Sequence, residues 1–208
     1  AIGARFDDRI TNTPKLFAPN AKIIHLDVDY SSVSKIIEAN IAVFGQVKNS
    51  LLEMITLLEA KKELIDSKKI LPWKKQISDW KLQHGLNHEM HLCETDDKPV
   101  MPHAVVQHIY NITKGKAFIT SDVGQHQMFA AQYYHFDEPR KWINSGGLGT
   151  MGFGLPAAMG AKLAYPNDEV ICITGEGSIQ MCIQELSTCT QYNLPIKIIN
   201  INNEALGM

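Results

Sequence analysis

The sequence predicts an α/β protein with doubly wound parallel sheets. From about residue 101 onward, short runs of apolar and β-branched residues alternate with helical patterns, as they do in successive βαβ units. Two glycine-rich segments directly follow predicted strands, which is where sheets of this class bind ligands. The composition, 45% hydrophobic and 20% charged over 208 residues, is that of an ordinary globular protein.

The sequence of the first part of the chain, residues 1–65, predicts one strand and two helices. KIIHLDVD (22–29) is typical of a buried strand, and SSVSKIIEAN (31–40) is typical of a helix with a serine cap. GQVKNSLLEMITLLEAKKELI (45–65) repeats apolar residues at helical spacing. The lysine-rich stretch that follows, 66–98, is typical of a linker.

The second part predicts an alternating series that supports the parallel sheet. Pro102 near the start and Gly115 near the end favour the bounds of its first helix. The predicted elements are, in order, helix 102–115, strand 116–122, helix 124–134, strand 140–145, helix 155–164, strand 169–175, helix 178–192 and strand 195–203. The expected organisation is therefore a first domain, 1–65, a linker, 66–100, and a second domain, 101–208.

An acid between two glycines, in ITGEGSIQ (173–180), is the strongest chemical signal. Glu176 and Asn203 follow two adjacent predicted strands, whose carboxyl ends lie at one sheet edge. A helix that begins near Ser178 presents its amides there and suits a phosphate. A carboxylate, an amide oxygen and a phosphate together suit Mg²⁺, so the pattern predicts a metal-bridged diphosphate.

The alternative for this motif is a tight turn in which Glu176 is only a helix N-terminal acid, which is commoner for a short motif. The pair Asn202–Asn203 and the glycine-rich segment SGGLGTMG (145–152) favour a ligand site, because many glycines cost backbone entropy unless a ligand packs against them.

Charge and cysteine usage exclude several classes. A formal net charge of −2 gives no case for nucleic acid or an anionic membrane, and no apolar run reaches the ~20 residues of a membrane span. No secretory signal pattern opens the chain. The cysteines lack metal or disulfide spacing and indicate reduced thiols in a cytoplasmic compartment; they are Cys93, Cys172, Cys182 and Cys189. A zinc site at His84, His88, His91 and Cys93 is less favoured than a solvated helix.

Several long motifs resemble one family. Gly175-Glu176-Gly177 followed by Asn202–Asn203 is similar to the thiamine diphosphate motif, Gly-Asp-Gly then Asn-Asn. Within that superfamily the chain resembles the acetolactate synthase (acetohydroxyacid synthase) large subunits. The motifs that carry the resemblance are GARFDDR (3–9), APNAKIIHLDVD (18–29), DVGQHQMFAAQYY (122–134), WINSGGLGTMGFGLPAAMGA (142–161), IQELSTCTQYNLPIKI (183–198) and NNEALGM (202–208).

The resemblance implies a thiamine-diphosphate-binding fold joined to part of a Rossmann-like, FAD-binding central domain. The positions implied to meet thiamine diphosphate are Val123, Gly124, Gln125, His126, Gly149, Met151, Gly177, Ser178, Met181 and Met208. Those implied to hold Mg²⁺ are Glu176, Asn203 and the carbonyl of Ala205. Those implied to contact FAD are Gly3, Ala4, Arg5, Asp7, Asp27 and Val28.

The implied activity is decarboxylation of pyruvate and transfer of the two-carbon unit to a second 2-keto acid, pyruvate or 2-ketobutyrate. The family's cofactor lies between subunits, so a homodimer or larger assembly is expected, with a small regulatory subunit. The family's activating glutamate precedes Ala1, so no catalytic residue is expected in this chain. We expect the chain to be a C-terminal-side fragment, inactive alone. The alternatives are another pyruvate enzyme, such as a pyruvate oxidase, or a degenerate, non-catalytic fragment.

Two positions depart from the family pattern. Glu176 stands where the family has aspartate, and one extra methylene moves the carboxylate by ~1 Å, whereas Mg²⁺ requires near-octahedral geometry. The sequence thus predicts weakened metal and diphosphate binding unless the loop retracts. Gln46 stands where the family often has an aspartate near the flavin ribose.

Overall fold

A computed structural model describes residues 1–64, 66–85 and 99–206. The chain forms two compact units, Ala1–Ser78 and Asp79–Met208. In the parts of the chain that are described, no helix has both the length and the apolar character needed to cross a membrane.

The first unit contains a small parallel sheet. Its elements are α1 (Asp8–Thr11), β1 (Ile24–Asp27), β2 (Ile41–Phe44), α2 (Val47–Ala60) and α3 (Ser67–His84), which continues past the end of this unit. Strands β1 and β2 pair in parallel with Ile24 opposite Ile41, and Ile2 makes a parallel bridge to Leu26. Three chain segments thus leave this sheet at the same edge, the carboxyl edge of β1.

The predicted strand at 22–29 is confirmed by β1, but the predicted helix at 31–40 is wrong. Residues 29–40 form turns and bends. The Ser31 and Ser32 hydroxyls donate to the Asp29 carboxylate, and the Ser34 hydroxyl accepts from the Ala39 amide, while Ser34 has a φ of 58°. Such side-chain hydrogen bonds compete with helical ones, which explains the turns.

The helix predicted at 45–65 is confirmed by α2, whereas β2 was not predicted. No residue of α2 is buried, so its apolar stripe faces outward in this unit. The predicted linker is described at residues 66–85 and 99–100, and α3 occupies most of that first portion.

The second unit is a four-stranded parallel sheet with helices on both faces. Its elements are α4 (Pro102–Thr113), β3 (Phe118–Ser121), α5 (Gln125–Tyr133), β4 (Trp142–Asn144), α6 (Gly154–Ala164), β5 (Val170–Gly175), α7 (Glu176–Ile179), α8 (Glu185–Gln191) and β6 (Lys197–Ile201). The strand order is β4-β3-β5-β6, with every pair parallel.

Two hydrophobic clusters cover the two faces of this sheet. Ile119, Ile171 and Ile173 point to a cluster with side chains of α4 and α5. Phe118, Val170 and Cys172 alternate with them along the strands and join side chains of α6 instead. Helices on both faces of a parallel sheet confirm the doubly wound α/β class.

The predicted elements of this unit agree with the structure except in one helix. The stretch 178–192 is divided into α7, a 3₁₀ turn at Gln180–Cys182 and α8, although Ile183 and Gln184 keep right-handed helical angles. Helix α4 ends as expected, because Lys114 and Gly115 have φ values of 52° and 72°.

Candidate functional site

A pocket of about 280 Å³ lies at the carboxyl ends of β3, β5 and β6. Most of the second-unit site residues implied by the resemblance line it: Val123, Gly124, Gln125, His126, Glu176, Gly177, Ser178, Asn203 and Ala205. The pocket exists because parallel strands end at one edge and the chain then turns into a helix or a loop. The structure thus brings together residues that are up to 82 positions apart in the sequence.

Two of the three predicted metal ligands converge on one backbone amide. The Ala205 N–H donates to Oε1 of Glu176 at 3.1 Å and to Oδ1 of Asn203 at 3.3 Å. The Asn203 side-chain amide in turn donates to Oε1 of Gln125 at 3.1 Å. The longer glutamate therefore reaches the turn after β6, and its carboxylate and the Asn203 oxygen face the same point.

Glycines beside His126 leave room for its ring. A Cβ at Gly175 would lie 2.8 Å from Nδ1 of His126, and a Cβ at Gly124 would lie 2.8 Å from its Cε1. Gly124 has a φ of 151°, which an L residue adopts rarely. The glycine before Glu176 is thus required for packing the histidine, a role that the sequence motif alone did not indicate.

His126 is a buried polar group with an unused ring nitrogen. It is 6% exposed, and its Nε2 has no hydrogen-bond partner among the residues that the structure describes. Burial lowers the pKa of His126, whereas the charges of Asp122 and Glu176 oppose that shift. A neutral imidazole with a free nitrogen at a pocket wall can accept or donate one hydrogen bond to a ligand.

The first turn of α7 forms the pocket floor. The Ser178 hydroxyl is buried and donates to the Val123 carbonyl at 3.0 Å, which ties this turn to the loop after β3. The first amides of a helix have no intrahelical acceptor. Gly177 and Ser178 therefore contribute backbone N–H groups of the kind that bind phosphate oxygens.

The remaining second-unit predictions lie outside this pocket or outside the described residues. Gly149 and Met151 belong to the glycine loop (residues 145–153), and the Met151 methyl is 3.7 Å from a Cβ placed on Gly177. Met181 packs against Gly152 and is 59% exposed. Met208 is outside the described part of the chain.

Five further residues line the pocket and were missed from the sequence: Pro102, Phe129, Gly175, Ile201 and Leu206. Phe129 could have been found, because it lies one helical turn after Gln125 on α5. Pro102 belongs to a helix from elsewhere in the chain, and nothing in its local sequence indicates this contact.

The positions implied to contact FAD lie at the carboxyl edge of the first unit's sheet. The amide of Gly3 donates to the Leu26 carbonyl at 2.9 Å, which places Gly3 and the residues after it beside the end of β1. Arg5 pairs with Asp7 at 3.0 Å. Asp27 is 8% exposed and accepts from the Asp29 amide, whereas Val28 is 60% exposed.

Gln46 lies close to this group. The amide of the preceding residue, Gly45, donates to the Asp27 carbonyl at 3.1 Å. The position at which the family often has an aspartate therefore adjoins Asp27 at the same sheet edge, and here it carries a neutral amide.

The donor chemistry of the second-unit pocket fits a hard cation with a phosphate. Its candidate ligands are one carboxylate, one amide oxygen and one backbone carbonyl, which are oxygen donors of the type Mg²⁺ binds. Among the residues the structure describes, no cluster of three or more His, Cys, Asp or Glu side chains is suited to a metal. The zinc alternative depends on His88, His91 and Cys93, which lie outside those residues.

Comparison with known proteins identifies the family. Residues 122–208 match the family described as thiamine pyrophosphate enzyme, C-terminal TPP binding domain, and residues 1–54 match its central domain. Both matched segments are domains of thiamine pyrophosphate enzymes. Thiamine pyrophosphate is thiamine diphosphate, so the pocket lies in a domain of the class that binds this cofactor.

Several proteins that are similar to this chain are acetolactate synthases. The acetolactate synthase large subunit of Buchnera aphidicola subsp. Schlechtendalia chinensis is 55% identical over 208 residues, which is 100% of this chain and 35% of the relative. The acetolactate synthase isozyme 3 large subunit of Escherichia coli (strain K12) is 50% identical, with the same coverage of both chains. Acetolactate synthase 2, chloroplastic, of Brassica napus is 43% identical over 100% of this chain and 31% of the relative.

The chain spans about a third of the length of these relatives. The resemblance stated for the motifs is confirmed across the whole chain, including the stretch from 60 to 98 where no motif was found. Because each of these relatives is an acetolactate synthase, the alternative of a pyruvate oxidase is not favoured.

Proposed function

We propose that the protein containing this chain is the large catalytic subunit of an acetolactate synthase. It would decarboxylate pyruvate and transfer the two-carbon unit to a second 2-keto acid, pyruvate or 2-ketobutyrate, to form the precursors of valine and isoleucine. The convergence of Glu176, Asn203 and Gln125 at the strand edge of a thiamine diphosphate-binding domain supports this proposal most directly. The acetolactate synthase relatives support the choice of substrates.

In this proposal the pocket holds the diphosphate end of the cofactor through Mg²⁺. The Glu176 carboxylate, the Asn203 side-chain oxygen and the Ala205 carbonyl bind the cation. Amides of Gly177 and Ser178 donate to phosphate oxygens. When bound, thiamine diphosphate supplies the carbon centre that takes up the acyl group of a 2-keto acid and the electron pair released on loss of CO₂.

Side chains of α5 complete the diphosphate site. Gln125 holds the Asn203 amide through a hydrogen bond of 3.1 Å, and this bond fixes which Asn203 atom faces the cation. The free Nε2 of His126 supplies one hydrogen bond at the wall of the pocket. Phe129 and Ile201 contribute apolar surface, which reduces the competition of water for these polar contacts.

The glycine loop is the second part of the proposed cofactor site. Gly149 and Met151 would meet the aminopyrimidine, with Met151 holding the cofactor bent, and Met181 and Met208 would line the same region. The short distance between Met151 and Gly177 supports a continuous surface between this loop and the diphosphate pocket.

We also propose that the first unit binds FAD at its sheet edge, through the segment Gly3–Asp7 and through Asp27 and Val28. The match to the family's central domain supports this assignment. Gln46 would meet the flavin nucleotide as a neutral group in place of an acid.

The assembly is part of the same proposal. The protein would act in the cytoplasm as a homodimer or larger oligomer with the cofactor between subunits, and with a small regulatory subunit. The words "large subunit" in the names of the relatives support the last point.

The test is whether the protein encoded by the complete open reading frame that contains this chain forms acetolactate. The purified protein should convert pyruvate to acetolactate with added thiamine diphosphate, Mg²⁺ and FAD. Glu176→Gln should raise the Mg²⁺ concentration needed for half-maximal rate about tenfold or more, because it removes the charged ligand. The control, Glu185→Gln, changes an acid on α8 that lies outside the pocket. Consumption of pyruvate without acetolactate would contradict the proposal.

A further inference from the structure

Asp122 is a fully buried acid that the proposed cofactor site does not use. It follows β3 directly and is 0% exposed. Its Oδ1 accepts a hydrogen bond from the Gly154 amide at 3.2 Å, and its Oδ2 accepts one from the Thr174 hydroxyl at 3.0 Å. Its own amide donates to the Ile173 carbonyl at 3.1 Å. Burying a carboxylate is costly unless such bonds are made, so the arrangement calls for an explanation.

The partners of Asp122 belong to the segments that form the site. Gly154 is the first residue of α6 and directly follows the glycine loop. Thr174 immediately precedes Gly175 and Glu176 at the end of β5. The residues after Asp122 itself are Val123 to His126, which line the pocket. One carboxylate thus joins three segments that are separated in the sequence.

The contact with α6 is close and specific. A Cβ at Gly154 would lie 2.8 Å from the Asp122 nitrogen and 2.9 Å from its Oδ2, so only a glycine allows this approach. The residue at the N-cap position of α6, Phe153, makes no side-chain capping hydrogen bond. Asp122 acts as the cap from 32 positions away, and its negative charge faces the positive end of an eleven-residue helix.

We propose that Asp122 is a positioning residue that fixes the glycine loop (residues 145–153) relative to the β5–α7 turn (Gly175–Ser178), so that both can contact one thiamine diphosphate. The carboxylate itself does not touch the cofactor. The hydrogen-bonded tie is a property of the fold, and its effect on cofactor affinity rests on the proposed function.

Two substitutions separate hydrogen bonding from charge. In Asp122→Asn, the side-chain oxygen can accept from Gly154 while the side-chain amide donates to the Thr174 oxygen. The Thr174 hydroxyl can then donate to the Gly175 carbonyl, which lies 3.3 Å away. Asp122→Ala removes both bonds. Val170→Ala is the control, because Val170 is equally buried on β5 but at the other end of the strand.

The first experiment is amide hydrogen exchange on the complete, cofactor-free protein. We expect Asp122→Ala to speed exchange about tenfold or more in peptides that cover the glycine loop and the β5–α7 turn, relative to Val170→Ala. Asp122→Asn should restore exchange to near the wild-type rate. Equal exchange in the alanine variants at positions 122 and 170 would overturn the proposal, as would an asparagine variant no better than alanine.

The second experiment titrates thiamine diphosphate with Mg²⁺ into the same variants and follows turnover of pyruvate. We expect the Kd for the cofactor to rise about tenfold in Asp122→Ala, with kcat at saturating cofactor changed much less. Asp122→Asn should restore the affinity for thiamine diphosphate. If Asp122→Ala does not fold, Thr174→Val, which removes one of the two bonds, takes its place. Failure of the wild-type protein to bind thiamine diphosphate would refute the proposed function, and the exchange data would still decide the positioning role.

Discussion

At the scale of the residue, the Glu176 carboxylate is held by a hydrogen bond within the pocket. The carboxylate reaches the Ala205 amide at 3.1 Å, so the extra methylene is accommodated without the cation by an interaction with the turn after β6. A cation would compete with that amide for the same oxygen. The longer acid therefore fits the pocket, but in the absence of a metal its carboxylate accepts a hydrogen bond from Ala205.

We predict that Glu176→Asp strengthens Mg²⁺-dependent binding of thiamine diphosphate about tenfold, or ~1.4 kcal/mol. The shorter side chain withdraws from the Ala205 amide and matches the reach that Mg²⁺ geometry requires. Titration calorimetry on the complete protein measures the change. Glu185→Asp is the matched control, and equal affinity in the wild type and Glu176→Asp would contradict the prediction.

Gly175 offers a second test at this scale. Gly175→Ala should destabilise the protein by about 1–3 kcal/mol, because the new methyl meets the buried His126 ring at 2.8 Å. The backbone itself is not the cause, since the φ of Gly175 is −116°. Urea unfolding measures the loss.

Gly160→Ala is the control for that substitution. Gly160 lies in α6 with no atom within 4 Å of an added Cβ, so alanine there should be neutral or stabilising by up to about 1 kcal/mol. A similar loss of stability in both variants would show that the steric explanation for Gly175 is wrong.

Much of the site could be predicted at the residue scale, because short motifs report local chemistry. Glu176 and Asn203 each follow a strand, and the rule for parallel sheets places strand ends together, whereas Gln125 was implied by the family resemblance. The role of Gly175 in packing His126 could not be predicted, since it depends on the rotamer of a ring from another segment. Pro102 was missed for the same reason.

At the scale of the element, β5 is the central support of the site. All six of its residues are buried, and Cys172 and Thr174, two positions apart, lie on the same face of the sheet. Burial raises the pKa of the Cys172 thiol to about 12 from an ordinary value of 9.0. The folded protein therefore keeps this proton at a pH where the unfolded chain releases it.

That difference predicts a loss of stability at alkaline pH. Below pH 9 the thiol is protonated in both states and has no effect, and between pH 9 and 12 the unfolded state gains by ionising. At pH 10 the loss is ~1.4 kcal/mol. Urea unfolding from pH 8 to 11 should show a shallower decline in Cys172→Ala than in the wild type. Val170→Ala should decline like the wild type, and equal slopes in all three proteins would refute the assignment.

Elements were predictable where apolar periodicity coincides with burial, as in β1, β3 and β5. The helix expected at 31–40 failed because serine and aspartate side chains satisfy the backbone locally instead. Strand β2 was missed because four residues, IAVF, carry little periodic signal, and its position depends on pairing with β1.

At the scale of the whole molecule, the segment between the two predicted domains buries less apolar surface than the second unit does. The second unit has clusters on both faces of its sheet. In α3, all of which is described, no residue is buried. We retain the domain division 1–65, 66–100 and 101–208 as a proposal on this basis.

Limited proteolysis tests the proposed division. Trypsin should cut within α3 before it cuts in the second domain, since helices without buried residues open at low cost. Its sites there are Lys68, Lys69, Lys74, Lys75 and Lys81. Lys141 and Lys162 are 8% and 6% exposed and should resist until the second unit unfolds. A first cut after residue 100 would contradict the division.

The backbone N–H of Ala205 offers a way to observe binding of a cation at this site. The Ala205 N–H donates to the two oxygens that a cation would bind, so binding of the cation and these two hydrogen bonds exclude each other. Entry of a cation then requires the turn to release its proton donor, and the rate of that release sets an upper limit on the rate of loading. The chemical shift of the Ala205 amide, measured by NMR, would therefore report binding of a cation in the pocket.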